Sequence, residues 1–174
     1  MLDLFSDTPP WQEPLAPGAV VLRRFARERA PALLQAIADV ARQSPFRQMV
    51  TPGGYTMSVA MTNCGALGWT TDRHGYLYDP VDPLTDQTWP PMPAVFRELA
   101  LAAAAAGGYP NFSPDACLIN RYQPGAKLSL HQDKDEQDLR APIVSVSLGL
   151  PAIFQFGGLQ RSDPLQRLLL EHGD

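Results

Sequence analysis

Cysteine and histidine are scarce in this chain of 174 residues, which holds two cysteines and three histidines. Two cysteines, Cys64 and Cys117, cannot form the framework of several disulfides that stabilises small secreted domains, so we expect a reduced, cytoplasmic protein. Any metal site built on imidazole must draw on His74, His131 or His172.

Long apolar runs and an excess of basic charge are also missing. No apolar stretch approaches the roughly 18–20 residues of a membrane-spanning helix, and the acidic N-terminus lacks the basic region of a secretory signal. We therefore expect no membrane partner. The net charge of −4 is unlike that of a domain that coats duplex DNA. Six arginines nevertheless fall within residues 21–50, which fits either a local basic face or an ordinary solvated surface.

The length and the apolar fraction of 45% predict one domain over residues 1–174, with a hydrophobic core of its own. Eighteen prolines predict many turns, and residues 1–16 are expected to form an irregular arm. Helical spacing of apolar residues predicts helices over 31–42 and 92–106. In the first helix, the expected apolar face is Leu33, Leu34, Ile37, Val40 and Ala41.

Residues 63–91 contain many turn-forming residues and are predicted to be a long excursion. An unstructured loop of that length in a compact domain is usually either functional or wrongly read. Segments with apolar residues at period two are predicted to be strands: 18–23, 55–62, 117–122, 143–148, 153–156 and 168–170. Two helices together with short strands at regular spacing favour an α+β fold with a jelly-roll-like barrel.

The stretch His131-Gln132-Asp133 places an imidazole and a carboxylate two residues apart, so both side chains can point the same way from an extended segment. A further imidazole would complete the 2-His-1-carboxylate triad of non-haem Fe(II) oxygenases. The motif is weak by itself, because the chain repeats it as His172-Gly173-Asp174.

Upstream of this pair, Leu118, Asn120 and Tyr122 share one face of a predicted strand. If that face looks into a barrel, it offers an amide and a phenol to a small polar ligand. The alternative is that both side chains make only local hydrogen bonds. The acidic run after Asp133 could likewise be a solvated loop.

These segments together resemble the AlkB family of Fe(II)/2-oxoglutarate dioxygenases. The resemblance is carried by Asn120-Arg-Tyr, Pro124-Gly, Leu130-His-Gln-Asp-Lys-Asp-Glu and Pro142-Ile-Val-Ser-Val-Ser-Leu-Gly. It extends over essentially the whole chain, including Gly68-Trp69-Thr and Gly75-Tyr-Leu-Tyr78.

The resemblance implies a double-stranded β-helix, a jelly-roll or cupin-like barrel, with N-terminal helices and a nucleotide-recognition lid over about residues 45–91. The first part of the catalytic barrel would begin near residue 115. The implied activity is oxidative demethylation of alkylated bases, of the 1-methyladenine and 3-methylcytosine type, in DNA and RNA. This DNA-repair reaction consumes 2-oxoglutarate and O₂ and yields succinate and formaldehyde.

The resemblance also implies roles for single residues. His131 and Asp133 would bind iron, and Asn120 and Tyr122 would hydrogen-bond 2-oxoglutarate. The implied substrate contacts are Trp69, which would stack on the flipped base, Tyr76, Asp135, which would face the exocyclic amino group, and Arg161.

These substrate roles are physically coherent. The alkylated bases are cationic near neutral pH, so the Asp135 carboxylate would attract them and the Trp69 ring would add a cation–π attraction of about 0.5–2 kcal/mol. Methylation of the Watson–Crick edge weakens pairing, so the damaged base costs less to flip. Partners would be alkylated single- or double-stranded DNA and RNA, bound by a monomer.

One part of the family pattern is not found. The family has a second iron-binding histidine and arginines for 2-oxoglutarate further along, and the segment ending at His172 matches the turn before that region. We therefore expect the barrel to be incomplete at the C-terminus, and the chain to bind iron poorly and be inactive. His172 as the third ligand, or His74 in the lid, are the alternatives within the chain.

Two other classes of function stay open. A non-catalytic barrel could hold single-stranded nucleic acid on Trp69 and Tyr76 without metal, and would then be insensitive to a chelator. A zinc hydrolase would bind zinc tightly and ignore O₂. The sequence shows no obvious general base beside the His131–Asp133 pair, which counts against the hydrolase.

Overall fold

The structure is a computed structural model that describes residues 9–133, 136 and 138–174. In chain order the elements are β1 (Trp11–Ala16), β2 (Ala19–Arg23), a 3₁₀ turn (Arg27–Arg29), α1 (Ala30–Gln43), β3 (Arg47–Val50), β4 (Thr56–Gly65), β5 (Gly68–Asp72), β6 (Gly75–Asp79), β7 (Val81–Asp82), β8 (Gln87–Thr88), α2 (Ala94–Ala106), β9 (Ala116–Arg121), β10 (Ala152–Phe156) and β11 (Gln166–Leu170). The chain divides into two compact units.

The first unit comprises residues 1–31, 99–112 and 141–174. It holds two antiparallel hairpins, β1–β2 and β10–β11. Arg23 at the end of β2 donates to Glu13 and Asp174, at 2.7 and 2.6 Å. The Asp174 side chain is almost fully buried, so this arginine supplies the charge that its carboxylate needs.

The second unit comprises residues 32–98 and 113–140. Its largest sheet has the order β3–β4–β9, with β4 in the middle and both neighbours antiparallel to it. The hairpins β5–β6 and β7–β8 follow β4 along the chain. Two apolar clusters lie in this unit: one around Val40, Cys64 and Ile119, the other around Met49, Val59 and Met61.

The central strand β4 is covered on both faces in its second half, and Val59, Met61 and Cys64 are essentially inaccessible. Its polar residues Thr62 and Asn63 are also fully buried, and each makes side-chain hydrogen bonds to backbone groups outside the strand. Both satisfy the rule that a buried polar group must find a partner.

Gly68 at the start of β5 is expected to be intolerant of a side chain. A Cβ there would lie 2.3 Å from the indole of Trp89, which is itself buried and donates to the Asp79 carbonyl at 2.8 Å. Overpacking of this kind costs about 1–3 kcal/mol. We predict that Gly68→Ala lowers the free energy of unfolding by that amount in urea titrations. Gly53→Ala, where the nearest atom is 3.4 Å away on Tyr55, serves as the control and should change it by under about 0.5 kcal/mol.

The structure confirms both predicted helices and the strands near 18–23, 55–62, 117–122, 153–156 and 168–170, with ends that shift by a few residues. The expected apolar face of α1 is wrong at Leu34, which is 47% exposed, whereas Leu33 and Val40 are buried. Leu34 adjoins Leu33 in sequence, and adjacent residues point about 100° apart around a helix.

Three predictions about the loops and strands are wrong. Residues 11–16 are not an irregular arm but strand β1, which pairs with β2 despite Pro14. Residues 63–91 are not a long unstructured excursion, since they hold the two hairpins β5–β6 and β7–β8. Residues 143–148 alternate as a strand should, but they pair with no strand in the described part of the chain.

The fold class is nevertheless the predicted one. Among the described residues, all strand pairs in the sheets are antiparallel and two helices accompany them, as in jelly-roll-like α+β folds. These strands form five separate sheets of two or three strands, and none of the five closes into a barrel. No helix in the described residues is long and apolar enough to cross a membrane.

Candidate metal and nucleotide site

The His131–Asp133 pair lies at the end of an irregular segment that follows β9 in the second unit. The segment begins with a turn closed by the Ala126 N–H on the Gln123 carbonyl, at 2.9 Å. It is then fixed to β4, because Ser58 donates to the Lys127 carbonyl at 3.0 Å and accepts from the Lys127 N–H at 3.1 Å. The two candidate ligands therefore follow a backbone segment that is anchored to the sheet.

The imidazole of His131 is held in one orientation by its own backbone neighbourhood. Its Nδ1 lies 2.7 Å from the Ser129 carbonyl oxygen, which can only accept, so Nδ1 carries the proton. In a neutral ring the other nitrogen, Nε2, then has a free lone pair. Metal-binding histidines are usually oriented by such a hydrogen bond from the second ring nitrogen.

The geometry of the pair fits a shared metal ion. Nε2 of His131 lies 3.7 Å from Oδ1 of Asp133, and both side chains are about half exposed. Two donors that each lie about 2.1 Å from one ion can be at most about 4.2 Å apart, so this separation allows both to bind the same cation. Imidazole nitrogen and carboxylate oxygen are the donor types of non-haem Fe(II) sites.

A third donor is not brought to this pair by the described residues, which contain no group of three or more histidine, cysteine, aspartate or glutamate side chains able to hold a metal. His172 lies in a turn of the first unit, where its Nδ1 accepts the Gly149 N–H at 2.9 Å. His74 lies in the β5–β6 turn and is paired with Asp72 at 3.1 Å. The described chain thus supplies two of the three ligands of a facial triad.

The predicted polar face of β9 is present. Leu118, Asn120 and Tyr122 are exposed, whereas Ile119 between them is buried. On the opposite face the guanidinium of Arg121 lies over the ring of Phe46, 4.4 Å from its centroid. Partial burial raises the pKa of Tyr122, so its phenol is a neutral donor at physiological pH. An amide and a protonated phenol on one accessible face can both donate to a carboxylate ligand.

The aromatic pair is formed by the β5–β6 hairpin. Trp69 pairs with Tyr78 in the register and Thr71 with Tyr76, so Trp69 and Tyr76 are diagonal neighbours on one face. Their rings are stacked, with centroids 5.6 Å apart and planes inclined by 21°. Trp69 also packs on the cluster around Met61, together with Ala126 and Leu128 from the segment that leads to His131.

The hairpin and the segment that carries the His131–Asp133 pair are joined a second time, just beyond that pair. The phenol of Tyr78 in β6 donates to the carboxylate of Glu136 at 2.6 Å. Burial, then the Glu136 carboxylate and the charge of Asp133, raise the pKa of Tyr78, so this phenol stays protonated. The hairpin β5–β6 and the segment that carries the candidate ligands are therefore joined, within the second unit, by a hydrogen bond and by packing on a common apolar cluster.

Two of the residues predicted to contact the substrate are not among the side chains described above. Asp135 is outside the described residues. Arg161 is an exposed residue in the first unit, in the connection between β10 and β11. Their roles remain predictions from the family resemblance.

Sequence reasoning missed three supporting groups: the side chains of Asn63 and of Tyr78, which is the partner of Glu136, and the backbone carbonyl of Ser129. Only Asn63 carried a usable indication, as a carboxamide in a strand that otherwise reads as buried. The Tyr78–Glu136 hydrogen bond joins positions 58 residues apart and has no local sequence pattern.

Comparison with known proteins identifies the family to which the chain is similar. Residues 18–174 match the model of the 2OG-Fe(II) oxygenase superfamily. The alpha-ketoglutarate-dependent dioxygenase AlkB of Escherichia coli is 76% identical over 174 residues, which is 100% of this chain and 81% of that protein. The human nucleic acid dioxygenase ALKBH1 is 33% identical over 108 residues, 62% of this chain and 28% of the human protein.

A solved structure is similar as well. The structure of OsALKBH1 superposes with a TM-score of 0.77 at 29% identity, covering 92% of this chain and 80% of that one. The likeness therefore extends through most of both chains.

Proposed function

This chain belongs to the AlkB dioxygenases of the 2OG-Fe(II) oxygenase superfamily, and from that premise we propose that it oxidatively demethylates alkylated bases in nucleic acids. The proposed lesions are cationic bases of the 1-methyladenine and 3-methylcytosine type in single- or double-stranded DNA and in RNA. The chain would act on the nucleic acid as a monomer. It would couple this reaction to decarboxylation of 2-oxoglutarate.

The observation that carries the proposal is the joining of two features in one unit. The His131–Asp133 pair fits a shared cation. The hairpin that carries the Trp69–Tyr76 stack is joined to the same backbone segment, because Trp69 and Leu128 pack on one apolar cluster and Tyr78 donates to Glu136. A metal pair alone would suit many reactions, and an aromatic pair alone would suit plain binding. Together they indicate oxidation of a planar base.

Iron, when bound, supplies the oxidative chemistry, and O₂ and 2-oxoglutarate are the cosubstrates. The residues of the chain have separate tasks. Nε2 of His131 and the Asp133 carboxylate would hold the metal, and Asn120 and Tyr122 would donate hydrogen bonds to the 2-oxoglutarate carboxylates. Trp69 would stack on the flipped base, and Tyr76, half exposed at the open side of the stack, would contact base or backbone. We propose Asp135 and Arg161 as further substrate contacts.

With two protein ligands in the described residues, we propose that the 174-residue chain alone binds iron weakly. In a multiple-turnover assay with a 1-methyladenine oligonucleotide, its rate is then expected to be at least about 100-fold below that of E. coli AlkB, because even disturbing a ligand's support costs 10–100-fold. A rate near that of the relative would show that the chain holds a complete site.

The function itself is tested by a single-turnover experiment with the chain in excess over oligonucleotide. Methyl loss, followed by mass spectrometry, should require Fe(II) and 2-oxoglutarate, should produce equal amounts of succinate and formaldehyde, and should stop when EDTA is added. The second candidate is a non-catalytic single-stranded nucleic-acid-binding module, which the finding of only two clustered donors in the described chain favours. Lesion-selective binding that is unaffected by EDTA and gives no methyl loss would support this second candidate.

A further inference from the structure

We infer that Asn63 is a positioning residue that fixes Trp69 for stacking on the alkylated base. The inference rests on the proposed function. Asn63 lies in the central strand β4, six residues before Trp69, and is fully buried. It does not belong to the metal pair, to the polar face of β9 or to the aromatic stack.

The side chain of Asn63 binds both peptide groups of Trp69. Its Nδ2 donates to the Trp69 carbonyl and its Oδ1 accepts from the Trp69 N–H, each at 3.0 Å. A carboxamide has the same donor and acceptor as a peptide group, so this pair of bonds imitates the bonds of a neighbouring strand.

The two bonds from Asn63 lie on the edge of β5 that pairs with no other strand in the described residues. In an antiparallel ladder the N–H and the carbonyl of one residue face the same side. At Trp69 both are bonded to Asn63, so they point away from its partner Tyr78 in β6. In the described residues the β5–β6 sheet has only two strands. The side chain of Asn63 therefore takes the place of a neighbouring strand at Trp69, the residue of β5 whose ring would stack on the base.

Trp69 is therefore held both by its backbone and by its ring. Its backbone is fixed by Asn63, and its ring is fixed by the cluster around Met61 and by Tyr76. Stacking on a base depends on the height and tilt of the ring, and a preorganised ring loses less conformational freedom on binding. Loss of the Asn63 bonds should therefore weaken lesion binding without removing any group that touches the lesion.

The test measures binding of a fluorescent single-stranded oligonucleotide with one 1-methyladenine, and of its unmethylated copy, to the complete 174-residue chain. Asn63→Leu keeps the branching and the number of heavy atoms of the side chain and removes both hydrogen bonds. It is expected to weaken binding of the methylated oligonucleotide by about 5- to 20-fold, within the range that one base stack contributes. Asn63→Ser leaves room for a bridging water, so it is the variant for the case in which the leucine does not fold. It should weaken binding by about threefold.

Thr62→Val is the matched control. Thr62 is equally buried in the same strand and donates to the Ser44 carbonyl at 2.7 Å, so its replacement removes a buried hydrogen bond away from Trp69. Binding by this variant should change by less than about twofold. A loss equal to that of Asn63→Leu would mean a general loss of stability and would overturn the inference.

A double-mutant cycle separates positioning from a merely structural role. If Asn63 acts through Trp69, then Asn63→Leu has almost no further effect in a Trp69→Ala background. An equal loss in both backgrounds overturns the inference, and so does unchanged binding by both Asn63 variants. If the unaltered chain itself fails to prefer the methylated oligonucleotide, the proposed function is wrong, and this outcome is distinguishable from the other two.

Discussion

His131→Ala is expected to weaken Fe(II) binding by at least about 100-fold, measured by anaerobic titration in the presence of 2-oxoglutarate with the metal-to-ligand charge-transfer band as readout. The imidazole is one of the two clustered donors, and its orientation is fixed by the Ser129 carbonyl. Disturbing only the support of a ligand costs 10–100-fold in metal affinity, so removing the ligand itself should reach or exceed that range.

The chain provides its own control for this experiment. His172-Gly173-Asp174 repeats the motif in the first unit, but the Nδ1 of His172 is engaged with the Gly149 N–H in a turn. His172→Ala should leave the titration unchanged within about twofold, and so should His74→Ala, because His74 is an exposed partner of Asp72. The assignment of the metal pair would be wrong if His172→Ala removed the band and His131→Ala kept it.

Trp69→Ala is expected to weaken binding of a single-stranded 1-methyladenine oligonucleotide by about 10- to 100-fold, while binding of the unmethylated copy weakens less. One base–aromatic stack contributes about 1–3 kcal/mol, and a cationic base adds a cation–π attraction of about 0.5–2 kcal/mol. Fluorescence anisotropy titrations of both oligonucleotides measure the two effects separately.

Trp11→Ala is the matched variant for this prediction. Trp11 is a more exposed tryptophan in strand β1 of the first unit, where Arg24 lies over its ring. Its removal should change the preference for the methylated oligonucleotide by less than about twofold. Equal losses of preference in the two tryptophan variants would argue that neither ring is the lesion platform.

The parts of the fold with a regular apolar period were predictable from sequence. Both helices show it. In β9, exposure alternates along Leu118, Ile119 and Asn120 as period two predicts, with Leu118 and Asn120 exposed and Ile119 buried. Residues 143–148 show the limit of this reasoning, because a strand needs a partner as well as an alternating pattern. The hairpin β5–β6 within residues 63–91 has paired strands but no alternating apolar pattern, so it was missed. Its short strands are dominated by Thr, Tyr, Asp and Gly.

The candidate site was also predictable only in part. His131 and Asp133 were found because their spacing is local and their chemistry is specific. The groups that hold the site together act between positions far apart in sequence: Ser58 on Lys127, and Tyr78 on Glu136. No local pattern encodes such pairs, so only the folded chain shows that the aromatic hairpin is joined to the segment that carries the His131–Asp133 pair.

The most direct test of the account is whether a bound metal lies beside a bound lesion. Mn(II), a redox-inert cation suited to nitrogen and oxygen donors, can be added to the chain in complex with an oligonucleotide carrying a ¹³C-labelled N-methyl group on 1-methyladenine. The account predicts strong paramagnetic broadening of the methyl resonance with the unaltered chain and loss of that broadening with His131→Ala. A methyl resonance that stays sharp while both the metal and the oligonucleotide are bound would contradict it.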